Sequence, residues 1–154
     1  MRLHCASFAV LASLSTQATA EMATLDSVKS GEPEQSYEYV RCAAFYAANI
    51  EWAGQALTEQ VFESSKKSIK DLMLIATLIR LSKTNGEAAV EHQSETVNLD
   101  TREIANLYIE NYRRSYAIRG TAWEANPLWE SDAQTCKPIA EAASQVAAEL
   151  GDQP

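Results

Sequence analysis

Residues 39–54 read YVRCAAFYAANIEWAG, and this stretch decides the fold because it is apolar on almost every side of a helical wheel. One apolar stripe follows a 4-3-4-3 spacing, and a second stripe lies on its flank. A helix with two apolar sides is usually buried between neighbouring helices. The pattern therefore predicts a central helix over residues 36–53. The two stripes are Tyr39, Ala43, Tyr46, Ile50 and Ala53, and Cys42, Phe45, Asn49 and Trp52.

Three further helices are predicted outward from this one. The first starts between residues 58 and 64 and ends near Lys83, where Lys83-Thr84-Asn85-Gly86 is a stop signal. Asp100 and Glu103 read as a capping box that opens the next helix, which ends near Arg119. The last helix runs over 138–151, with Pro138 in its first turn. No segment has the period of a strand, so the fold class is all-α, a small bundle of about four helices forming a single domain over 36–151.

Two segments between these helices carry weaker signals. Residues 87–99 are mostly polar and only weakly helical, and residues 121–135 read as a long connection. Residues 21–35 contain a glycine, a proline and no apolar period, which predicts a flexible leader ahead of the domain.

The first twenty residues have the layout of a cleavable secretory signal. A positive start at Arg2 precedes an uncharged run over 5–14, and Ala18-Thr19-Ala20 is a small-x-small ending, which predicts cleavage after Ala20. The protein is therefore expected in the periplasm or outside the cell. No later apolar run is long enough to span a bilayer. Removing Arg2 changes the formal net charge from −8 to −9, and such an acidic surface disfavours nucleic acids and anionic membranes as partners.

The cysteine count predicts one disulfide bond. Of the three cysteines, Cys5 leaves with the signal, so Cys42 and Cys136 form the single available pair in an oxidising compartment. The bond joins the central helix to the start of the last one. Neither cysteine belongs to a CxxC or CxxCH motif, which argues against thioredoxin-like redox chemistry and attached haem.

Motifs for catalysis and cofactor binding are absent from the sequence. There is no GxSxG, no HExxH and no glycine-rich phosphate loop. His92 and Glu95 would share one face of a helix, as a weak metal pair does, but a solvated polar segment is the favoured interpretation. We expect no enzymatic activity and no cofactor.

Two aromatic groups are candidates for binding. Tyr108, Tyr112 and Tyr116 recur every four residues and would meet Tyr46 if the two helices pack together. They would line either a ligand cleft or an ordinary core edge. Trp123 and Trp129 lie in the predicted connection and would form either an interface or a cap on the bundle.

Three functions remain open. The first is an exported, non-catalytic binding protein for an unknown protein or small ligand, and it could also form a homo-oligomer.

The second is an envelope-stress or acid-responsive periplasmic chaperone. In layout the chain resembles the HdeA-type acid chaperones, which are small, exported, helical and single-disulfide. Neutralising its 21 carboxylates in acid would favour expansion. The third is a weak metal-dependent enzyme centred on His92.

Overall fold

The computed structural model describes residues 22–31, 33–84 and 88–151, and over these ranges the protein is an all-α bundle. The elements are α1 (Leu25–Lys29), α2 (Tyr37–Ala53), a 3-10 turn (Gly54–Ala56), α3 (Glu59–Leu81), α4 (Ala88–Arg119) and α5 (Pro127–Gly151). The predicted fold class is confirmed. The predicted signal over 1–20 and the Asn85-Gly86 part of the predicted stop lie outside the described residues.

Helix α2 is the central element, as its two apolar stripes predict. It contacts α1, α3, α4 and α5, and both α4 and α5 pack against the pair formed by α2 and α3. Residues 40–45 are all buried, and the small side chains Ala43, Ala44 and Ala48 are fully buried. Small residues let neighbouring backbones approach closely, which is how one helix can contact so many others. No helix among the described residues is long and apolar enough to cross a membrane.

The predicted capping box at Asp100 is wrong, because α4 begins twelve residues earlier and passes through Asp100 without interruption. The Asp100 carboxylate lies 2.7 Å from an Arg80 guanidinium nitrogen on α3, so it forms an ion pair instead of a cap. The polar segment before it is helical because Val97 is fully buried against Val40 and Ala76. One buried valine and one ion pair thus extend the helix where local propensity is weak.

The predicted long connection over 121–135 is also wrong in most of its length. Helix α5 starts at Pro127, and Pro138, which was predicted to lie in a first turn, lies inside the helix. The correct start signal is Asn126-Pro127. The Asn126 side-chain oxygen accepts the Trp129 N–H at 3.4 Å, and Pro127 occupies the first helical position.

The structure differs from the predicted flexible leader, because residues 25–29 form α1 and pack on the bundle. Leu25 is fully buried. Its N–H donates to an Asp132 carboxylate oxygen on α5 at 2.7 Å. Leu25, this long-range hydrogen bond and surface contacts to α2 and α5 anchor the segment, and none of them produces a helical period in the sequence.

The predicted disulfide between Cys42 and Cys136 is present. The two Cα atoms are 5.2 Å apart, and the bond joins α2 to α5 across 94 residues of sequence. Both cysteines are fully buried, so the bond forms part of the core.

Candidate functional site

The short connection between α4 and α5 positions the two tryptophans that the sequence offers as candidates for binding. Residues 120–126 contain two left-handed backbone conformations, at Gly120 (φ 75°) and Ala125 (φ 55°), and the latter is uncommon for a residue with a side chain. Asn126 is buried and pins the turn: its Nδ2 donates to Asn111 Oδ1 at 2.8 Å and to the Ala122 carbonyl at 2.7 Å. This brings Trp123, in the connection, beside Trp129, in the first turn of α5.

The two tryptophan rings stack on each other. Their centroids are 6.1 Å apart with 27° between the planes, and the Trp129 ring also lies 6.2 Å from Phe45. Trp129 Nε1 donates to Asn49 Oδ1 at 3.1 Å, which fixes this ring against α2. Trp123 Nε1 is buried and has no hydrogen-bond partner among the described residues. The Trp129 side chain is therefore held by a hydrogen bond as well as by packing, and the Trp123 side chain is held by packing on Trp129 and on the core.

These rings form one wall of an aromatic groove between α2, α3 and α5. The groove has a volume of about 360 Å³, within the range of ligand sites. Its walls are mostly apolar, and Lys137 is its single charged lining residue among those described. We call this site the aromatic groove; its lining residues are Phe45, Tyr46, Asn49, Ile50, Leu57, Val61, Ser65, Trp123, Trp129, Ala133 and Lys137.

A second cleft of about 420 Å³ adjoins the aromatic groove and is more polar. Its lining includes four serine hydroxyls, one amide and one carboxylate. We call it the serine cleft; its lining residues are Tyr46, Ser64, Ser65, Ser68, Lys137, Ala140, Glu141, Ser144 and Gln145. The groove and the cleft share Tyr46, Ser65 and Lys137, so an apolar site and a polar site meet at one junction.

The tyrosine cleft considered from the sequence does not form. Helices α2 and α4 do pack together, but Tyr108 and Tyr112 are fully buried. Tyr116 is 57% exposed and packs edge-on against Trp52, with ring centroids 6.0 Å apart. Of the four tyrosines named as candidates, Tyr46 alone lines the aromatic groove. The alternative of a core edge fits Tyr108 and Tyr112.

Sequence reasoning missed a buried charged cluster next to these rings. Arg41 and Asp132 are 1% and 0% exposed, and an Arg41 guanidinium nitrogen lies 2.7 Å from Asp132 Oδ2. Arg41 Nε donates to the Tyr108 hydroxyl at 2.7 Å, and the Tyr108 hydroxyl donates to Asp132. Arg41 also donates to the Ala23 carbonyl at 2.6 Å. The cluster holds α1, α2, α4 and α5 together, and its only signal in the sequence was Arg41, the one basic residue inside the apolar stretch 39–54.

The pKa values in this region follow from burial. Burial raises the pKa of Tyr108 and of Tyr112 well above the usual 10. The charge of Arg41 lowers the pKa of Tyr108 in part, and the charge of the Asp132 carboxylate raises the pKa of both tyrosines further. Burial lowers the pKa of Arg41, but its interactions with Tyr108 and Asp132 outweigh that effect and raise it overall. The cluster therefore contains a charged arginine and phenols that stay protonated at neutral pH.

The weak metal candidates line neither the aromatic groove nor the serine cleft. His92 and Glu95 are both exposed on α4. Over residues 22–31, 33–84 and 88–151, no three histidine, cysteine, aspartate or glutamate side chains are grouped so that they could hold a metal ion.

The aromatic groove is thus the described site that combines a suitable volume with residues singled out from the sequence. Its apolar walls, tryptophan stack and polar junction suit binding of a ligand with an apolar part. A comparison of the chain with protein-family models, with curated proteins and with solved structures finds no match.

Proposed function

We propose that this protein is an exported, non-catalytic binding protein whose ligand site is the aromatic groove. The observation that supports it is the stacked pair of Trp123 and Trp129 in the wall of a groove of about 360 Å³. Large rigid rings provide apolar contact area at a low cost in conformational entropy, and tryptophan is enriched at binding hot spots.

The remaining features of the proposal rest on the N-terminal sequence and the disulfide. The layout of residues 1–20 is that of a secretory signal, and a buried disulfide is compatible with an oxidising compartment. No feature of the described residues favours the acid-responsive chaperone or an enzyme centred on His92 over a binding protein.

The test uses the neutral dye N-phenyl-1-naphthylamine, whose fluorescence rises in apolar surroundings. Val61 lines the groove and is 46% exposed, so Val61→Gln places an amide at the groove wall without emptying the core. Burying that amide against apolar walls costs about 1 kcal/mol or more, which corresponds to a loss of dye affinity of roughly fivefold or more.

The matched control is Val146→Gln on α5. Val146 is 45% exposed and belongs to neither the aromatic groove nor the serine cleft. We expect saturable dye binding that Val61→Gln weakens and Val146→Gln leaves unchanged. Dye binding that does not saturate, or that both variants affect alike, would show that the groove is not the site.

A further inference from the structure

The three residues shared by the aromatic groove and the serine cleft all present hydrogen-bond donors. They are the Tyr46 hydroxyl on α2, the Ser65 hydroxyl on α3 and the Lys137 ammonium on α5. Three helices therefore bring one phenol, one alcohol and one cation to the boundary between an apolar and a polar site. A group that accepts hydrogen bonds and carries negative charge suits such a junction.

The charges near the junction support an anionic group. Lys137 is exposed and makes no hydrogen bond or ion pair with any described residue, and no carboxylate lines the aromatic groove. Burial, and then the charge of Glu141, raise the pKa of Tyr46 above its usual value near 10. The Tyr46 hydroxyl therefore remains a donor at neutral pH.

We infer that the ligand is an amphiphile, namely a single apolar chain that ends in one carboxylate, as in a fatty acid. The chain lies in the aromatic groove against the tryptophan stack, and the carboxylate lies at the junction, where it accepts hydrogen bonds from Tyr46, Ser65 and Lys137. This inference rests on the proposed function, since it names the class of ligand for the same groove.

Glu141 restricts which head group fits. It lies one helical turn after Lys137 and lines the serine cleft, so a negative group that extends from the junction into the cleft meets a like charge. A single compact carboxylate held at the junction avoids most of this repulsion. Replacing Glu141 with Gln is expected to strengthen carboxylate binding about twofold to threefold, because the repulsion between exposed charges is weak.

The experiment measures displacement of N-phenyl-1-naphthylamine by three amphiphiles with equal chains, each below its micelle concentration. Dodecanoate, dodecanol and dodecylammonium differ in the charge of the head group. At neutral pH and low salt we expect dodecanoate to displace the dye about tenfold more strongly than dodecanol, and dodecylammonium to be the weakest. The order follows from the charge-assisted hydrogen bonds at the junction.

Lys137→Gln is the variant that tests the junction, and Lys70→Gln is its control. Lys70 is also an exposed lysine without an ion pair among the described residues, but it lines a separate pocket along α3 and belongs to neither the aromatic groove nor the serine cleft. Lys137→Gln is expected to reduce the preference for dodecanoate over dodecanol from about tenfold to about twofold, and Lys70→Gln to preserve it.

The outcomes separate this inference from the proposed function. Saturable dye binding with equal displacement by dodecanoate and dodecanol overturns the carboxylate ligand and leaves the groove as a binding site. Stronger displacement by dodecylammonium, or equal effects of the two lysine variants, also overturns it. Absence of saturable dye binding overturns both.

Discussion

Replacing Asp132 with Asn tests whether the buried cluster holds the bundle together. The carboxylate of Asp132 accepts from the Arg41 guanidinium, from the Tyr108 hydroxyl and from the Leu25 N–H. Asn has nearly the same shape and keeps one carbonyl oxygen, so packing changes little. The main effect is that the guanidinium, which is 1% exposed, loses its counter-ion.

The expected cost follows from the burial of both charges. Removing one partner of a buried ion pair costs about 3–5 kcal/mol, because the other charge stays buried without compensation. With a slope of about 2 kcal/mol per molar urea, the unfolding midpoint of the variant moves down by about 1.5–2.5 M. A domain of this size has a free energy of unfolding of roughly 5–15 kcal/mol. The variant is therefore expected to fold, but with a smaller free energy of unfolding.

The assay is urea unfolding of the oxidised protein, followed by circular dichroism at 222 nm. Glu110→Gln serves as the control, because Glu110 pairs with Arg113 on the surface and both side chains are 61% exposed. Its cost is expected to stay within about 0.5 kcal/mol. The reasoning fails if Asp132→Asn costs less than about 1 kcal/mol or no more than the control, because the Arg41–Asp132 pair would then not be buried as the structure has it.

Two further predictions concern the disulfide and the buried phenols. Replacing both Cys42 and Cys136 with alanine opens a loop that spans 94 residues. We expect this to lower the free energy of unfolding, measured in urea, by about 4–5 kcal/mol. A decrease of less than about 1 kcal/mol would contradict a structural role for the disulfide. Because the pKa values of Tyr108 and Tyr112 are raised in the folded state, the stability that they contribute is complete below pH 10 and decreases as the pH rises above it. At pH 11, absorbance at 295 nm should show about two fewer ionised tyrosines in the native than in the urea-unfolded protein, and equal ionisation would contradict their burial.

Much of the fold could be predicted from local pattern and from counting. Two cysteines left for pairing predict one bond, and its partners are fixed because no alternative pairing exists. The apolar stripes of residues 39–54 predict a central helix, because period alone shows which sides of a helix are buried. Helix boundaries were predicted less well: Asp100 resembles a cap in sequence, yet its carboxylate pairs with Arg80 on α3.

The candidate site could be predicted only in part. Trp123 and Trp129 stood out because two tryptophans in a presumed connection are unusual, and the structure places both in one groove wall. The tyrosine spacing indicated a shared face but not its exposure, so Tyr108 and Tyr112 were candidates although both are fully buried. Lys137 carried no local signal, because its position at the junction depends on how α2, α3 and α5 meet.

The sequence by itself determined the all-α class, the central helix and the disulfide pair, because helical period, apolar content and cysteine number are properties of neighbouring residues or of simple counts. Only the tertiary structure decided that Arg41 is buried, since its partner Asp132 lies 91 residues further along the chain. The same holds for the length of α4, which depends on Val97 packing against Val40 and Ala76. Each of these features rests on contacts between distant segments, whose free energy outweighs local propensity and leaves no local pattern in the chain.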